Sequence, residues 1–177
     1  MSAFARIQSR FGTLLLACGL MAGAMVFLMM LLVVANALLR FLFNAPIAGT
    51  LEITESLLTV LIFLSLALTQ YEGGHVRVLL LVKRLPAPSR RIAKLAAMIL
   101  GVVFFAWCTY AAWGFAMKSL AVDEHEWGTI QFPLYPVKFV IVAGLLLLTI
   151  QFLLDAIAVA LGRDRHESDL ATGVEEM

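Results

Sequence analysis

Charge is scarce in this sequence, and its scarcity excludes an ordinary water-soluble domain. Only 14% of the 177 residues are Asp, Glu, Lys or Arg, whereas 62% are hydrophobic. Soluble domains average about 25% charged and about 45–50% apolar residues. The surplus of apolar surface therefore requires lipid around the chain. The formal net charge of +1 gives no reason to expect a nucleic-acid partner.

Cysteines, histidines and clustered polar residues are also few, which excludes several kinds of functional site. Cys18 and Cys108 both lie in long apolar runs, which indicates packing rather than redox chemistry. All three histidines lie outside those runs, where they are unsuited to ligate a membrane haem. The Asp-Glu-His-Glu stretch at 123–126 lacks a defined metal geometry and indicates a solvated acidic face or a docking patch. We expect no catalytic site, no metal and no cofactor.

Long apolar runs with few charged residues are abundant in the sequence. A helix needs about 20 apolar residues to span a bilayer. Four runs meet this length, so we predict four transmembrane helices, at about 12–40, 50–71, 90–117 and 137–161. The first run is too long for the apolar part of a cleaved signal peptide. The predicted fold class is an all-α integral membrane protein, a single domain followed by a polar tail at 163–177.

The basic residues predict how the four helices are oriented. Ten of the 13 Lys and Arg residues lie in the N-terminus, the second connection and the tail. The positive-inside rule then places these segments, and both termini, in the cytoplasm. Short loops predict an up-down bundle with antiparallel neighbours. The second connection has a short apolar middle among basic residues, which predicts an interfacial segment against anionic lipid or a partner.

Two polar residues near the end of the first predicted helix share one helical face. Asn36 and Arg40 are four residues apart. A charged side chain at the centre of a membrane helix costs about 2.5–3.5 kcal/mol on insertion scales. We therefore expect Arg40 to pair with Glu52 or Glu55 at the start of the second helix. We interpret this set as structural or as part of a subunit interface, rather than as an ion or substrate site.

Asp155 is a carboxylate inside the fourth apolar run. An intramembrane acid raises the possibility of a proton or cation role. One isolated acid makes no relay, so we expect Asp155 to extend toward the cytoplasmic surface or to pair with Arg91 or Lys94.

A glycine pair in the first helix predicts close helix packing. Gly19 and Gly23 form a GxxxG pattern in an apolar run. The pattern leaves open whether the packed partner is another helix of this chain or another subunit.

The order of residues around the first connection resembles a known family. Asn36 and Arg40 are followed by Phe43, Pro46 and Glu52, and a Gly-His-Val-Arg stretch after the second helix contains His75 and Arg77. This order resembles the small membrane subunit of tripartite ATP-independent periplasmic (TRAP) transporters, the DctQ-type family. The resemblance covers about residues 10–162. The chain departs from the family pattern at Gly49 and Leu79, where many members carry Trp and Asp.

The resemblance implies a function that composition does not. A small subunit of this kind is non-catalytic and pairs with a much larger membrane subunit, which holds the substrate and Na⁺ sites. A periplasmic binding protein delivers an organic acid to the pair for cation-coupled uptake across the bacterial inner membrane. The small subunit braces the larger one. Its candidate structural or interface residues are Gly19, Gly23, Asn36, Arg40, Phe43, Pro46, Glu52, Glu55, His75 and Arg77. The substrate is selected in the other two proteins.

Three alternatives remain open at this stage. The small subunit of a tripartite tricarboxylate transporter also spans four times, but it lacks the Asn36–Arg40, Glu52 and His75 order. A self-oligomerising channel or exporter requires a polar stripe, and the second and third helices offer only scattered Ser, Thr and Gln. A membrane enzyme requires clustered histidines or acids near one surface.

Overall fold

The computed structural model describes residues 3–72, 87–126 and 128–161. This described part contains four α-helices and no β-strand: α1 (Ala3–Phe43), α2 (Thr50–Tyr71), α3 (Ala87–Ala121) and α4 (Tyr135–Ala160). Each helix includes a stretch long and apolar enough to cross a membrane: Arg6–Phe43, Thr50–Tyr71, Arg91–Ala121 and Tyr135–Ala160. The prediction of an all-helical protein with four spanning helices is confirmed.

Two of the helices extend well beyond the spans that we predicted. Helix α1 begins at Ala3 rather than near residue 12, and α3 continues to Ala121 rather than ending near residue 117. The predicted spans ended at charged residues, because charge marks the limit of the apolar run. Arg and Lys are nonetheless good helix formers, so the backbone continues its helical hydrogen bonding past them.

Each of the two described loops has, at or near its start, a residue in the left-handed region of backbone conformation. Asn44, directly after α1, has φ of 50°, and Asp123, soon after α3, has φ of 46°. Asn and Asp tolerate this region better than other side chains. Gly49, with φ of 82°, directly precedes α2, and Pro136 lies in the first turn of α4. Turn-forming residues thus set the ends of the helices, as their chemistry predicts.

The principal helix contacts follow the order α1–α2–α4–α3. Helix α2 packs on α1 and on α4, and α4 also packs on α3. Successive helices are therefore neighbours at the first and last connections, whereas α2 packs chiefly on α4 rather than on α3. Helices α1 and α3 are the outer members of this row, and α4 is the most buried helix.

The apolar centre of the structure joins helices α1, α2 and α4. Leu15, Ala67 and Leu148 are fully buried there. Phe105 of α3 packs against this group and stacks on Phe152, with 5.2 Å between the ring centroids. Since lipid gives little hydrophobic drive to helix association, such close side-chain packing is what holds membrane helices together.

Several sequence predictions lie outside the described residues. These are the interfacial segment of the second connection, the polar tail at 163–177, and the candidate residues His75 and Arg77.

Candidate subunit interface

Asn36 fixes the loop between α1 and α2, which spans residues 44–49. Its side-chain Oδ1 accepts a hydrogen bond of 2.8 Å from the backbone N–H of Ile47. The Ile47 carbonyl in turn accepts a 2.8 Å bond from the hydroxyl of Thr50, the first residue of α2. Each bond satisfies a polar group that lies close to the apolar spans, where an unpaired backbone group is costly. Asn36 therefore has a structural role within the chain.

Glu52, in the first turn of α2, binds the loop between α3 and α4 (residues 122–134, the α3–α4 loop). Its side chain is only 4% exposed, and its carboxylate accepts a hydrogen bond from the backbone N–H of Thr129. Gly128 lies directly against the Glu52 side chain, where an added Cβ would come within 2.7 Å of Cγ and Cδ. A carboxylate in the first turn also suits the positive end of the α2 dipole. Glu52 therefore joins the start of α2 to a distant loop.

Gly49 makes a second contact with the same loop. An added Cβ there would come within 2.7 Å of Cγ1 of Ile130, and its positive φ already disfavours a side chain. The space beside Gly49 is thus filled by the Ile130 side chain of the α3–α4 loop.

Arg40 does not form the ion pair that we expected, and that prediction is wrong. Within the described part of the chain, its guanidinium pairs with neither Glu52 nor Glu55, and Arg40 is exposed in the last turn of α1. The Glu52 carboxylate is satisfied by a backbone N–H instead, so it gains little from a cation. Arg40 lies at the end of its helix, from which a long side chain reaches polar surroundings.

The α3–α4 loop is held by its own backbone and by one ion pair. The N–H of Glu126 donates to the Phe132 carbonyl at 2.9 Å, and the N–H of Leu134 donates to the Glu124 carbonyl at 3.0 Å. The Lys138 Nζ lies 2.5 Å from Oε2 of Glu124. The contact with Lys138 lowers the pKa of the Glu124 carboxyl below its ordinary value. This loop therefore presents a defined surface beside the start of α2.

Glu126 is less favourably placed in the same loop. Partial burial, followed by the nearby carboxylate of Glu55, raises the pKa of the Glu126 carboxyl above its ordinary value. His125 meanwhile bonds through Nδ1 to the Asp123 carbonyl at 2.6 Å. In residues 3–72, 87–126 and 128–161, no group of three His, Cys, Asp or Glu side chains has an arrangement suited to a metal ion.

Asp155 lies in a polar cluster that joins α2 to α4. Its Oδ2 accepts a 2.8 Å hydrogen bond from Nε2 of Gln70, and its Oδ1 accepts a 2.8 Å bond from Nε2 of Gln151. Gln70 also contacts the sulfur of Met98 on α3 at 3.9 Å. Arg91, one of the two partners expected for Asp155, donates to the Ala160 carbonyl at 2.7 Å.

The two glutamines of this cluster were missed by the sequence analysis. Gln151 is 1% exposed and Gln70 is 5% exposed, so both are buried at the depth of the spans. A signal was available, because Gln151 and Asp155 are four residues apart and therefore share a helical face. The amide of Gln70, isolated near the end of an apolar run, was the matching donor.

The two glycines of the GxxxG pattern in α1 have different surroundings. Gly19 faces Leu68 of α2, whereas Gly23 has no side chain or neighbouring backbone within 4 Å of a built Cβ. Gly144 of α4 lies against the backbone of Phe63 in α2, whereas Gly19 meets only a side chain. Gly144 was not predicted, since it belongs to no GxxxG pattern with a partner in α4.

Phe43 and Pro46, two other candidate interface residues, are both exposed near the end of α1. Glu55 is exposed as well, one turn beyond the buried Glu52. The candidates of the first connection thus divide into two kinds. Asn36 and Glu52 hold the chain together, and the others leave a surface open.

Four helices that are long and apolar enough to span a bilayer define the class of the chain as a multi-pass membrane protein. Residues 29–162 match the family described as "Tripartite ATP-independent periplasmic transporters, DctQ component", and the chain belongs to that family. The resemblance drawn from Asn36, Arg40 and Glu52 is confirmed. A search of curated proteins gives no match.

Proposed function

We propose that this chain is the non-catalytic small membrane subunit of a TRAP-type transporter and braces a larger membrane subunit. The family match over most of the chain carries the proposal. In the family, the larger subunit holds the substrate and Na⁺ sites, and a periplasmic binding protein delivers an organic acid for cation-coupled uptake. The bacterial inner membrane is the corresponding location.

A bracing role requires a rigid unit, and the contacts of α2 support one. Glu52 at one end of α2 binds the α3–α4 loop, and Gln70 at the other end binds Asp155 of α4. Between them, Gly144 allows close approach of the α2 and α4 backbones. The first contact fixes the start of α2 to the α3–α4 loop, and the other two fix α2 against α4.

We further propose that the helices run up and down in antiparallel order with both termini in the cytoplasm. The contact of Gly12 with Tyr71 brings the beginning of α1 to the end of α2, which supports the antiparallel order. The concentration of Lys and Arg in the termini and the second connection supports the cytoplasmic placement. The α3–α4 loop then faces the periplasm, on the side from which the binding protein delivers substrate.

Co-purification tests this proposal. The tagged chain is expressed with the proteins of its neighbouring reading frames and purified in a mild detergent, and its partners are identified by mass spectrometry. We expect a large polytopic membrane protein in stoichiometric amount. A stable homo-oligomer that moves solute by itself would contradict the proposal.

Arg40 gives a narrower test of its interface assignment. We expect Arg40→Ala to lower assembly or transport without changing which substrate is taken up, because substrate is selected in the other proteins. A changed substrate preference with normal assembly would show that Arg40 belongs to a substrate site instead.

A further inference from the structure

We propose that the outward face of α3 is the surface on which a membrane-spanning helix of the larger subunit packs. This inference rests on the proposed function. The face is a stripe of exposed residues at alternating spacings of three and four, which we call the α3 stripe: Leu100, Val103, Trp107, Tyr110, Gly114 and Met117.

The α3 stripe lies opposite the side of α3 that packs inside the chain. The inward side includes Gly101 and Phe105, which contact Phe152, and Thr109, whose hydroxyl lies 3.4 Å from that of Thr149. At 100° per residue, the stripe centres about 180° from Phe105. It is therefore a complete helical face without a partner in the described part of the chain.

Two side chains of the stripe carry hydrogen-bond donors at an unusual depth. Trp107 is 74% exposed and Tyr110 is 79% exposed, and neither the indole N–H nor the phenol O–H has a partner among the described residues. Lys94 and Lys118 bracket the uncharged part of α3, so its midpoint is near residue 106. At a rise of about 1.5 Å per residue, Tyr110 lies about 6 Å from that midpoint.

That depth is inside the hydrocarbon of a bilayer, which extends about 15 Å to either side of its centre. Trp and Tyr normally lie at the membrane–water interface, where their polar ends reach water or headgroups. Hydrocarbon offers no acceptor to the Trp107 N–H or the Tyr110 O–H. A protein helix offers an acceptor at the same depth if it presents Ser, Thr, Asn or a free backbone carbonyl there.

The other outer helix, α1, differs in this respect. From Leu14 to Val34 its sequence contains no hydroxyl, amide or ring N–H, so the exposed side chains in this stretch are hydrocarbon or thioether. Lipid tails cover such a surface without leaving a donor unpaired. Because α3 exposes donors that are unpaired among the described residues and the middle of α1 exposes none, we assign the partner helix to the surface of α3 and lipid to the middle of α1.

Two features of the α3 stripe indicate that a helix packs on it: the spacing of its residues and the presence of Gly114. Alternating intervals of three and four residues are those of the seam between two packed helices. Gly114 lies in the stripe with nothing within 4 Å of a built Cβ, which leaves room for close approach.

A matched pair of glycine substitutions tests the assignment in the intact complex. Gly114→Leu adds a side chain to the α3 stripe, and Gly23→Leu adds the same side chain to α1, where a built Cβ also meets nothing within 4 Å. Both changes enter open space and favour helix, so both variants are expected to fold. We expect Gly114→Leu to lose most of the co-purified larger subunit and Gly23→Leu to retain it.

Tyr110→Phe, which removes only the hydroxyl, is expected to lower recovery of the larger subunit by less than Gly114→Leu does. A photo-crosslinking amino acid at position 110 identifies the occupant, with position 27 of α1 as its control. We expect crosslinks to the larger subunit from position 110 and not from position 27.

Four outcomes would overturn the inference: full recovery with Gly114→Leu, equal losses from both glycine variants, crosslinks from position 110 to a second copy of this chain, or crosslinks to lipid alone. If the wild-type chain captures no larger subunit at all, the proposed function itself fails. If the wild-type chain captures the larger subunit but the crosslinks to that subunit arise from α1, only the assignment of the α3 stripe fails.

Discussion

The carboxylate of Glu52 and the backbone N–H of Thr129 are 77 residues apart in the sequence and hydrogen-bonded in the structure. This bond links the first turn of α2 to the α3–α4 loop. It replaces the Arg40 pairing that the sequence predicted for Glu52. Since the loop lies on the proposed periplasmic side, the bond also ties the position of that surface to the helices beneath it.

Substitution of Glu52 is expected to loosen the α3–α4 loop while the helices persist. Glu52→Ala removes the acceptor for Thr129 N–H, and Glu52→Gln keeps an acceptor without the charge. We expect faster amide exchange in residues 128–134 for Glu52→Ala, and a smaller increase for Glu52→Gln. Leu51→Ala is the control, because Leu51 precedes Glu52 in the same turn of α2 and is 67% exposed. Equal exchange in wild type and Glu52→Ala would show that the bond does not order the loop.

The buried amide of Gln70 is expected to contribute measurably to stability. Gln70→Leu removes the hydrogen bond that Gln70 of α2 donates to Asp155 of α4. Hydrogen bonds between membrane helices contribute about 0.6–2 kcal/mol, so we expect a loss of that order in the free energy of unfolding, measured in mixed detergent micelles. Thr69→Ala is the matched control, since Thr69 is exposed and bonds only to Ser65 of its own helix. A loss no larger than that of the control would show that the cluster adds nothing to stability.

Gly144 is expected to tolerate no side chain. A Cβ there would come 2.7 Å from the backbone carbon of Phe63 and 2.9 Å from its Cβ. Because backbone atoms do not move aside as flexible side chains do, Gly144→Ala should separate α2 from α4 at a cost of about 1–3 kcal/mol. Gly23→Ala is expected to leave the thermal midpoint of the isolated chain unchanged or slightly higher. A Gly144→Ala variant as stable as wild type would mean that the two helices cross elsewhere.

Two acids of the α3–α4 loop are expected to affect stability in opposite directions as pH changes. The pKa of Glu124 is lowered by Lys138, so its contribution is present above the ordinary carboxyl pKa and is lost as pH falls through the lower, folded value. Glu124→Gln should therefore be destabilising at neutral pH, and the difference from wild type should shrink in acid.

The pKa of Glu126 is raised, chiefly by partial burial, so ionisation of this group opposes folding above the raised value. Glu126→Gln should be more stable than wild type at neutral pH. The gain should disappear as pH falls below the ordinary carboxyl pKa, where Glu126 is protonated in both the folded and the unfolded chain. Thermal unfolding of the two variants at a series of pH values measures both effects, and shifts of the same sign at neutral pH would contradict the assignment.

The sequence predicted the helices well because apolar run length and hydrogen bonding in lipid leave few alternatives. It also identified Asn36 and Glu52 as candidate structural or interface residues. The partners themselves were predicted less well, because they are backbone N–H groups of Ile47 and Thr129, which no pattern of side chains reveals. Gly144 and Gln70 were missed for a related reason. Their importance depends on the order α1–α2–α4–α3, and periodicity within one helix does not specify which helix lies beside it.

Transport by the reconstituted components tests the central claim most directly. The larger membrane subunit is incorporated into proteoliposomes with and without this chain, and uptake of substrate is measured with the binding protein outside and a Na⁺ gradient across the bilayer. We predict uptake only when both membrane subunits are present, and none by this chain alone. Uptake by the larger subunit alone at the full rate, or solute movement by this chain without it, would contradict the account of a brace that acts through a larger partner.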